Sequence, residues 1–461
     1  MEGSKEQTRS WLRVENVTIG ERSSRLSSAI FLLLSVIPLF ATVLFGAVDT
    51  MTWVLLSGMW AVLVLLWVAD AWRGDGILLN TSSLQLPVLA LLVLGLVQLI
   101  PLGNGTLSLD PFATRIFIVH LVVYITFFAA CLTFLNNEGR IKKAVLMVII
   151  FGAMMAFLGI LARLANPDAI YGLRKTAQAI GFGPFINQHH FAAFMEMTSG
   201  VAFGLLLGKR TGRDKRVLLA IAVVIMGLAV VFTSSRGGML GFLAAFAFVG
   251  LLNFFSGRWS EEKRNELGGA ARQKVAIAAG GAALILLIFG AALMLGANEE
   301  LFRGIGISEI HDGVSNGRAH FWPIALRIFL EHPILGAGLD AFGVAFTRFD
   351  SWNGFLRVEQ AHNDYLQTLS DAGLAGFACV AAFIYLLFRK GVEAIGNSTG
   401  FLRDAAIGAL AGCFGILIHS FFDFPLRTPS NPFFFLLLCA VATVPVKQRE
   451  KHRPKSAPTS P

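Results

Sequence analysis

About twelve long runs of mostly apolar residues limit what this chain can fold into more than any other feature. Each run is close to the ~20 residues that an α-helix needs to cross the hydrocarbon core of a bilayer. Because no water is available there, the backbone must satisfy its own hydrogen bonds, as a helix does. The sequence therefore predicts an all-α, polytopic transmembrane helix bundle. The predicted spans are 29–48, 52–71, 86–103, 116–135, 144–164, 191–208, 217–235, 238–255, 275–296, 373–388, 405–422 and 429–446.

The composition agrees with this class of protein. Of the 461 residues, 55% are hydrophobic and 15% are charged, whereas soluble domains carry about 25% charged residues. The first apolar run is long enough to span a membrane, so we expect a membrane helix there and not a cleaved signal peptide. Four cysteines lie inside apolar runs, which favours small buried side chains over disulfides or zinc ligands. They are Cys131, Cys379, Cys413 and Cys439.

The formal net charge of +9 indicates the orientation of the chain in the membrane and not a nucleic-acid site. By our count, about 27 of the 38 basic residues fall in the tails and loops on one side of the predicted bundle. Short basic loops remain on the cytoplasmic side, so we expect both termini to be cytoplasmic.

The predicted spans divide the chain into five parts. A polar tail, 1–28, precedes nine spans within 29–296, and a long outer connection follows at 297–372. The last three spans lie within 373–446. The basic tail 447–461 is expected to be disordered.

Two stretches of the outer connection have helical periodicity. The apolar positions from Arg318 to Leu330 recur at helical spacing, which predicts an amphipathic helix on the membrane face. A second short helix within 359–376 carries His362 on its more polar side and breaks at Gly373, where a membrane span begins. A histidine near that boundary can take or give a proton, because its unperturbed pKa is about 6.5.

Arginines supply the second kind of candidate group. Arg236 lies in a very tight turn between two spans, 234–238, and Arg318 opens the first amphipathic helix. A guanidinium binds phosphate oxygens through two parallel hydrogen bonds, and helix N-termini also favour anions. Each arginine could instead contact lipid headgroups, and His362 could be a solvated interfacial residue. Further candidates for supporting roles are Asp364, Gln360, His189, His190, Arg303, Arg357 and Asp423.

These groups suit one kind of chemistry. The acidic residues of the outer side form no close Asp-x-Asp pair in the sequence, so we expect arginines to neutralise a phosphate leaving group. We accordingly expect no metal and no other cofactor. One proton acceptor and a few fixed cations beside lipid favour transfer from a lipid-linked pyrophosphate donor to a hydroxyl group.

Several motifs resemble those of the O-antigen ligase/Wzy superfamily, over roughly residues 180–440. The most specific motif begins at His362, and Gly373 and Gly376 follow it. The motifs are His362-Asn363-Asp364-Tyr365-Leu366-Gln367, Ser235-Arg236-Gly237-Gly238, Gly317-Arg318 with Phe321-Trp322, His332-Pro333-Ile334-Leu335-Gly336-Ala337-Gly338 and His419-Ser420-Phe421-Phe422-Asp423-Phe424-Pro425-Leu426. One departure is Ser430-Asn431-Pro432, where the family pattern has Pro-Ala-Asn.

The resemblance implies a glycosyltransferase of the bacterial inner membrane that takes its glycan from undecaprenyl diphosphate on the periplasmic side, without metal or nucleotide sugar. His362 matches the proposed catalytic base, and Arg236 and Arg318 match the diphosphate-binding arginines. The implied reaction inverts the anomeric centre. We favour a lipid A–core sugar as the acceptor. A polysaccharide polymerase and a protein O-oligosaccharyltransferase of the same superfamily remain open.

A transporter or flippase is the main alternative from a different class. It would place ionisable residues deep inside the spans, where Glu196, His120 and His419 are the few candidates. A purely structural scaffold would not need an arginine in a tight outer turn. Convergence of His362 and the two arginines at a lipid-open cavity would favour a transferase, whereas scattered groups and a cavity across the bilayer would favour transport.

Overall fold

A computed structural model of the chain describes residues 24–256 and 317–443, apart from 75, 104, 167, 177, 178, 209, 210 and 353–356, together with 287, 288, 290 and 294. Most of the predicted N-terminal tail, nearly all of the span 275–296, Arg303 and the C-terminal tail lie outside these residues.

The described residues form thirteen α-helices and one short antiparallel hairpin. Single 3₁₀ turns lie at Phe45–Ala47 and Pro425–Arg427. The hairpin pairs β1 (Pro101–Leu102) with β2 (Gly105–Thr106). The helices are α1 (Arg25–Val43), α2 (Thr50–Arg73), α3 (Gln85–Gln98), α4 (Pro111–Phe134), α5 (Glu138–Ala165), α6 (Gln188–Leu206), α7 (Arg213–Phe232), α8 (Arg236–Ser256), α9 (Arg318–Glu331), α10 (Phe342–Thr347), α11 (Asp364–Asn397), α12 (Gly400–His419) and α13 (Ser430–Thr443).

The prediction of an all-α, polytopic membrane protein is confirmed. Helices occupy eleven of the twelve predicted spans, and the twelfth is the one at 275–296. Of the described helices, eight are long and apolar enough to cross a membrane by themselves: α1, α2, α4, α5, α7, α8, α11 and α12. The helices α3 and α13 are apolar but have only 14 residues each. Helix α6 is less apolar, and it is buried over almost its whole length.

Helix α6 lies at the centre of the bundle, against α7, α8 and α12. Its Gly200 and Gly204 face Gly408 and Gly412 of α12, so the two backbones approach closely. A Cβ atom on Gly200 would lie 2.5 Å from the backbone nitrogen of Gly412. Such small-residue stripes let membrane helices pack in direct contact. The contact brings the polar residues of α6 to the end of α12.

One end of the bundle carries all of the described candidate site residues. Hydrogen bonds join its loops, including those from Leu109 N–H to the carbonyl of Ala337 and from Asp364 N–H to the carbonyl of Ser420. The opposite helix ends carry the basic residues from which the cytoplasmic side was predicted. These residues include Arg73, Arg140, Lys142, Lys143, Arg213, Lys215, Arg216, Arg389, Lys390 and Arg403.

The predicted helix break at Gly373 is present as a kink within α11, where Gly373 has φ 62° and ψ −161°. The kink exposes backbone groups that the loop after α9 satisfies. Leu374 N–H donates to the carbonyl of Pro333 at 2.8 Å, and Ala375 N–H donates to that of Ile334 at 3.0 Å. The motif that follows α9 therefore docks onto the kink and fixes α9 relative to α11.

Replacing Gly373 by alanine should destabilise this junction strongly. The backbone angles there belong to glycine, and strain of this kind costs about 1–3 kcal/mol. A Cβ atom would also lie 2.5 Å from the carbonyl carbon of Ile334. We expect a lower thermal unfolding midpoint for the protein in detergent. Gly250→Ala in α8 is the matched control, because no heavy atom lies within 4 Å of a Cβ atom placed there. An equal loss of stability in both variants would contradict the role given to Gly373 at the kink.

Candidate functional site

Asp423 lies at the centre of the candidate site, in the loop between α12 and α13, and is 1% exposed. Its Oδ1 lies 3.3 Å from Nδ1 of His362, and its Oδ2 lies 3.7 Å from Nη2 of Arg318. Oδ1 also accepts a hydrogen bond of 2.9 Å from the backbone N–H of Phe424. One carboxylate therefore joins the candidate base to a candidate cation.

The surroundings of Asp423 keep its carboxyl ionised. Burial alone would raise its pKa, because a charge is poorly solvated away from water. The hydrogen bond with His362 and the nearby His189 and His190 outweigh burial and hold the pKa of Asp423 well below its usual range. An ionised carboxylate facing Nδ1 favours a proton on that nitrogen and leaves Nε2 as the acceptor of the neutral imidazole.

The prediction that His362 lies on the helix itself is wrong, because α11 begins at Asp364 and His362 precedes its cap with φ 52°. Asn363 caps the helix, because its Oδ1 accepts from the backbone N–H groups of Tyr365 and Leu366 at 3.0 and 3.1 Å. The His362 ring stacks on Phe321 with centroids 5.7 Å apart and meets Phe424 edge-on at 4.7 Å. Its side chain is 31% exposed, and its Nε2 has no hydrogen-bond partner among the described residues. The ring is thus held in place while one nitrogen stays available.

Arg318 is the first residue of α9, and its side chain is 22% exposed. Burial lowers the pKa of Arg318, Asp423 raises it, and the positive charge of Arg236 lowers it further. The two guanidinium groups therefore lie close enough to repel each other. Within the described part of the chain, the buried Nε of Arg318 has no hydrogen-bond partner. An anionic ligand would reduce the repulsion between the two cations and would accept a hydrogen bond from the free N–H of Arg318.

The Arg236 turn rests on a buried polar pair. Nδ1 of His419 lies 2.7 Å from Oε1 of Glu196, and Nε2 of His419 lies 3.5 Å from Oγ of Ser235. Ser235 also accepts a hydrogen bond of 3.1 Å from the N–H of Gly238. Arg236 itself is exposed, although its neighbours on both sides are buried. The pair thus anchors the turn and leaves the guanidinium at the surface.

The other candidates have different surroundings. Asp364 is half-buried and accepts from Oγ of Ser420 at 2.9 Å, so it ties the start of α11 to the loop that carries Asp423. Gln360 has a buried amide oxygen without a hydrogen-bond partner among the described residues. Arg357 is exposed and pairs with Glu359 at 2.6 Å. The structure shows no contact of Arg357 with Asp423 among the residues that it describes.

The histidines that open α6 border the site from the other side. Nδ1 of His190 contacts Oγ1 of Thr428, and its ring meets Phe424 edge-on at 4.7 Å. The sequence departure from the family pattern also lies here. Asn431 is buried, and its Nδ2 donates to the carbonyls of His190 at 3.1 Å and of Pro425 at 3.0 Å. This asparagine therefore ties the start of α13 to α6 and to the Asp423 loop.

One charged cluster was missed by the sequence analysis. Arg427 bridges Oδ1 of Asp340 at 2.9 Å and Oδ2 of Asp371 at 2.8 Å. Burial would lower the pKa of Arg427, but Asp371, Asp340 and Asp364 outweigh it and raise that pKa. The bridge fixes the Asp423 loop to the loop after α9 and to the kinked part of α11. No short-range pattern connects these residues, because they lie far apart in the sequence.

The fold and these side chains define a polytopic membrane protein with a histidine, an aspartate and two arginines gathered at one end of the bundle. Residues 221–381 match the family model Wzy_C, which is described as O-antigen ligase. This segment therefore resembles the O-antigen ligase family, which confirms the predicted resemblance to the O-antigen ligase/Wzy superfamily. None of the curated proteins compared with the chain matches it.

Proposed function

We propose that this protein transfers a glycan from undecaprenyl diphosphate to an acceptor hydroxyl on the periplasmic face of the bacterial inner membrane, with a lipid A–core sugar as the favoured acceptor. The observation that supports this most directly is the sharing of Asp423 by His362 and Arg318, with Arg236 close by. The family match supports ligase or polymerase chemistry in general.

The proposed reaction uses His362 as a general base. Its Nε2 removes the proton of the acceptor hydroxyl, and the hydroxyl oxygen attacks the anomeric carbon of the donor sugar. The bond from that carbon to the diphosphate oxygen breaks, and the electron pair leaves with the lipid diphosphate. Attack opposite the leaving group inverts the anomeric centre. Asp423 stabilises the imidazolium that forms.

In this proposal the arginines stabilise the negative charge of the leaving diphosphate. Arg318 and Arg236 would hold the diphosphate oxygens by charge-assisted hydrogen bonds, which are about twice as strong as neutral ones. Such fixed donors favour the transition state because they are already oriented when the negative charge develops. The repulsion between the two guanidiniums is relieved at the same moment.

An apolar stripe beside the site suits a lipid carrier. Leu326, Leu330 and Ile334 recur along α9 and the residues after it and are 46%, 65% and 68% exposed. The opposite face of α9, with Phe321, Ile324 and Ile328, is buried against the protein. The exposed stripe would contact lipid chains within reach of Arg318, which opens the same helix.

The contacts of the three transport candidates support the transferase proposal over a flippase. Glu196 and His419 bond to each other and are 0% and 1% exposed. His120 stacks on Trp53 with ring centroids 3.6 Å apart. Glu196 and His419 thus pair with each other and His120 packs against a ring, although Oε2 of Glu196 has no hydrogen-bond partner among the described residues.

Extraction of glycans from a deletion strain distinguishes ligase from polymerase activity. For the ligase that we favour, we expect long chains to accumulate on the lipid carrier while lipopolysaccharide loses them. Accumulation of single repeat units on the carrier would indicate a polymerase. Loss of glycan from proteins alone would indicate a protein O-oligosaccharyltransferase.

Replacing Arg236 by lysine should impair transfer nearly as much as replacing it by alanine. A lysine ammonium keeps the charge but not the planar pair of donors that binds two phosphate oxygens. We expect kcat/KM to fall about tenfold or more in both variants, because a hydrogen bond between charged groups contributes about 1.5–3 kcal/mol. Arg213→Lys, on an exposed residue at the opposite end, is the control. Wild-type activity of Arg236→Lys would show that the guanidinium of Arg236 does not bind the diphosphate.

A further inference from the structure

An exposed tryptophan lies beside the site, in the loop after α10. Trp352 is 48% exposed. Its ring stacks on His320 with centroids 4.3 Å apart and planes at 6°, and it meets Phe321 edge-on at 5.6 Å. The indole is therefore held in a fixed orientation by two neighbouring rings while nearly half of its surface remains open to a ligand.

A carboxylate is attached to the same group of rings. Oδ1 of Asp350 lies 2.8 Å from Nε2 of His320 and accepts a hydrogen bond of 3.0 Å from the backbone N–H of Trp352. Hydrogen bonds from His320 and Trp352 lower the pKa of Asp350, so its carboxyl is ionised at neutral pH. Its Oδ2 has no hydrogen-bond partner among the described residues. An open aromatic face and a free acceptor oxygen thus lie side by side.

This pair is connected to the candidate base through one ring. Phe321 contacts Trp352 on one side and stacks on His362 on the other, with centroids 5.7 Å apart. Phe321 is 8% exposed and belongs to the buried face of α9, so it fixes the separation between Trp352 and His362. A chain molecule whose reacting group lies at His362 could reach Trp352 with a neighbouring unit.

We propose that Trp352 and Asp350 form a subsite for a sugar ring of the glycan, next to the ring that reacts. This inference rests on the proposed function. The face of an indole ring carries a partial negative charge and attracts the C–H hydrogens on the apolar face of a pyranose. A carboxylate accepts hydrogen bonds from sugar hydroxyls. The alternative role for an exposed tryptophan is to anchor the protein in the membrane–water interface, where tryptophans are enriched. The ionised Asp350 beside the indole opposes burial in hydrocarbon and favours the sugar.

Three substitutions of Trp352 separate the two roles. Trp352→Phe keeps an aromatic face, Trp352→Leu keeps only apolar surface, and Trp352→Ala removes both. For glycan binding we expect the leucine and alanine variants to raise the KM for the glycan substrate about tenfold, with the phenylalanine variant near wild type. The KM for the donor and for the acceptor are measured separately, and the one that rises identifies which glycan occupies the subsite. Wild-type KM values in Trp352→Leu would show a membrane anchor and overturn the proposal.

A binding measurement keeps this test separate from that of the proposed function. The probe is the glycan released from the carrier lipid by mild acid, and its binding to the full-length protein in detergent is followed by saturation-transfer NMR. We expect signal on sugar C–H protons for the wild type and for the control variant Trp72→Ala. Trp72 is also an exposed tryptophan, at 72%, but it lies near the C-terminal end of α2, on the side of the bundle opposite the candidate site. Trp352→Leu should lose that signal. Equal binding by Trp352→Leu would reject the subsite, whereas sugar binding without any glycan transfer by the wild type would reject the proposed function alone.

Discussion

Replacing His362 by alanine should abolish measurable glycan transfer while the protein still inserts into the membrane. A positioned general base contributes about 10²–10⁴-fold to the rate of such a reaction, and we expect a loss of that size in kcat. The side chain is 31% exposed and its contacts are two rings and Asp423, so its removal leaves the helices of the bundle in place.

Two further variants make the result specific. His362→Gln retains a side-chain donor for Asp423 but cannot take up a proton, so it should be as inactive as His362→Ala. Arg348→Ala changes a residue of the same connection that is 65% exposed and pairs with Glu331, and it should retain activity. Activity in His362→Gln that approaches wild type would show that this residue only positions other groups.

Replacing Asp423 by asparagine should cost both activity and stability. The variant keeps the size of the side chain but removes the charge that fixes Nδ1 of His362 and compensates Arg318. Removing one partner of a fully buried ion pair costs about 3–5 kcal/mol. We expect a smaller loss of stability here, because the Arg318 side chain is 22% exposed. Transfer should fall by at least about 100-fold, since the imidazolium formed in the reaction loses its stabilising anion.

A double variant separates the two effects of this substitution. Adding Arg318→Met to Asp423→Asn removes the uncompensated cation, so the thermal unfolding midpoint should return toward that of the wild type. Activity should stay lost, because both the anion beside His362 and a phosphate-binding cation are then missing. An active double variant, or an Asp423→Asn protein with unchanged stability and turnover, would show that Asp423 does not join the two groups functionally.

Local patterns were sufficient to predict most of the helices, and they supplied His362, Arg236 and Arg318 as candidates. Apolar runs predict spans because each helix must cover its own backbone in lipid, and the Gly373 break follows from the end of one helical pattern. The same patterns do not show which spans face lipid and which are enclosed by other helices. Helix α6 carries Glu196 and two histidines and is hidden from lipid by its neighbours, which only the packing of the bundle reveals.

Contacts between distant segments were beyond the sequence analysis. Asp423 appeared there as one of several supporting candidates, yet it contacts His362 and Arg318, which are 61 and 105 positions away. The Arg427 bridge to Asp340 and Asp371 was not predicted at all. A buried ion pair produces no periodic pattern in the sequence, because its partners lie in separate loops that come together only when the helices pack.

The most direct test of the proposed function uses the purified protein in liposomes with a glycan carried on undecaprenyl diphosphate and a lipid A–core acceptor. We predict that the wild type forms a new glycosidic bond and releases undecaprenyl diphosphate, and that His362→Ala forms neither product. Movement of the intact donor across the bilayer without any new glycosidic bond would contradict the transferase and identify a flippase.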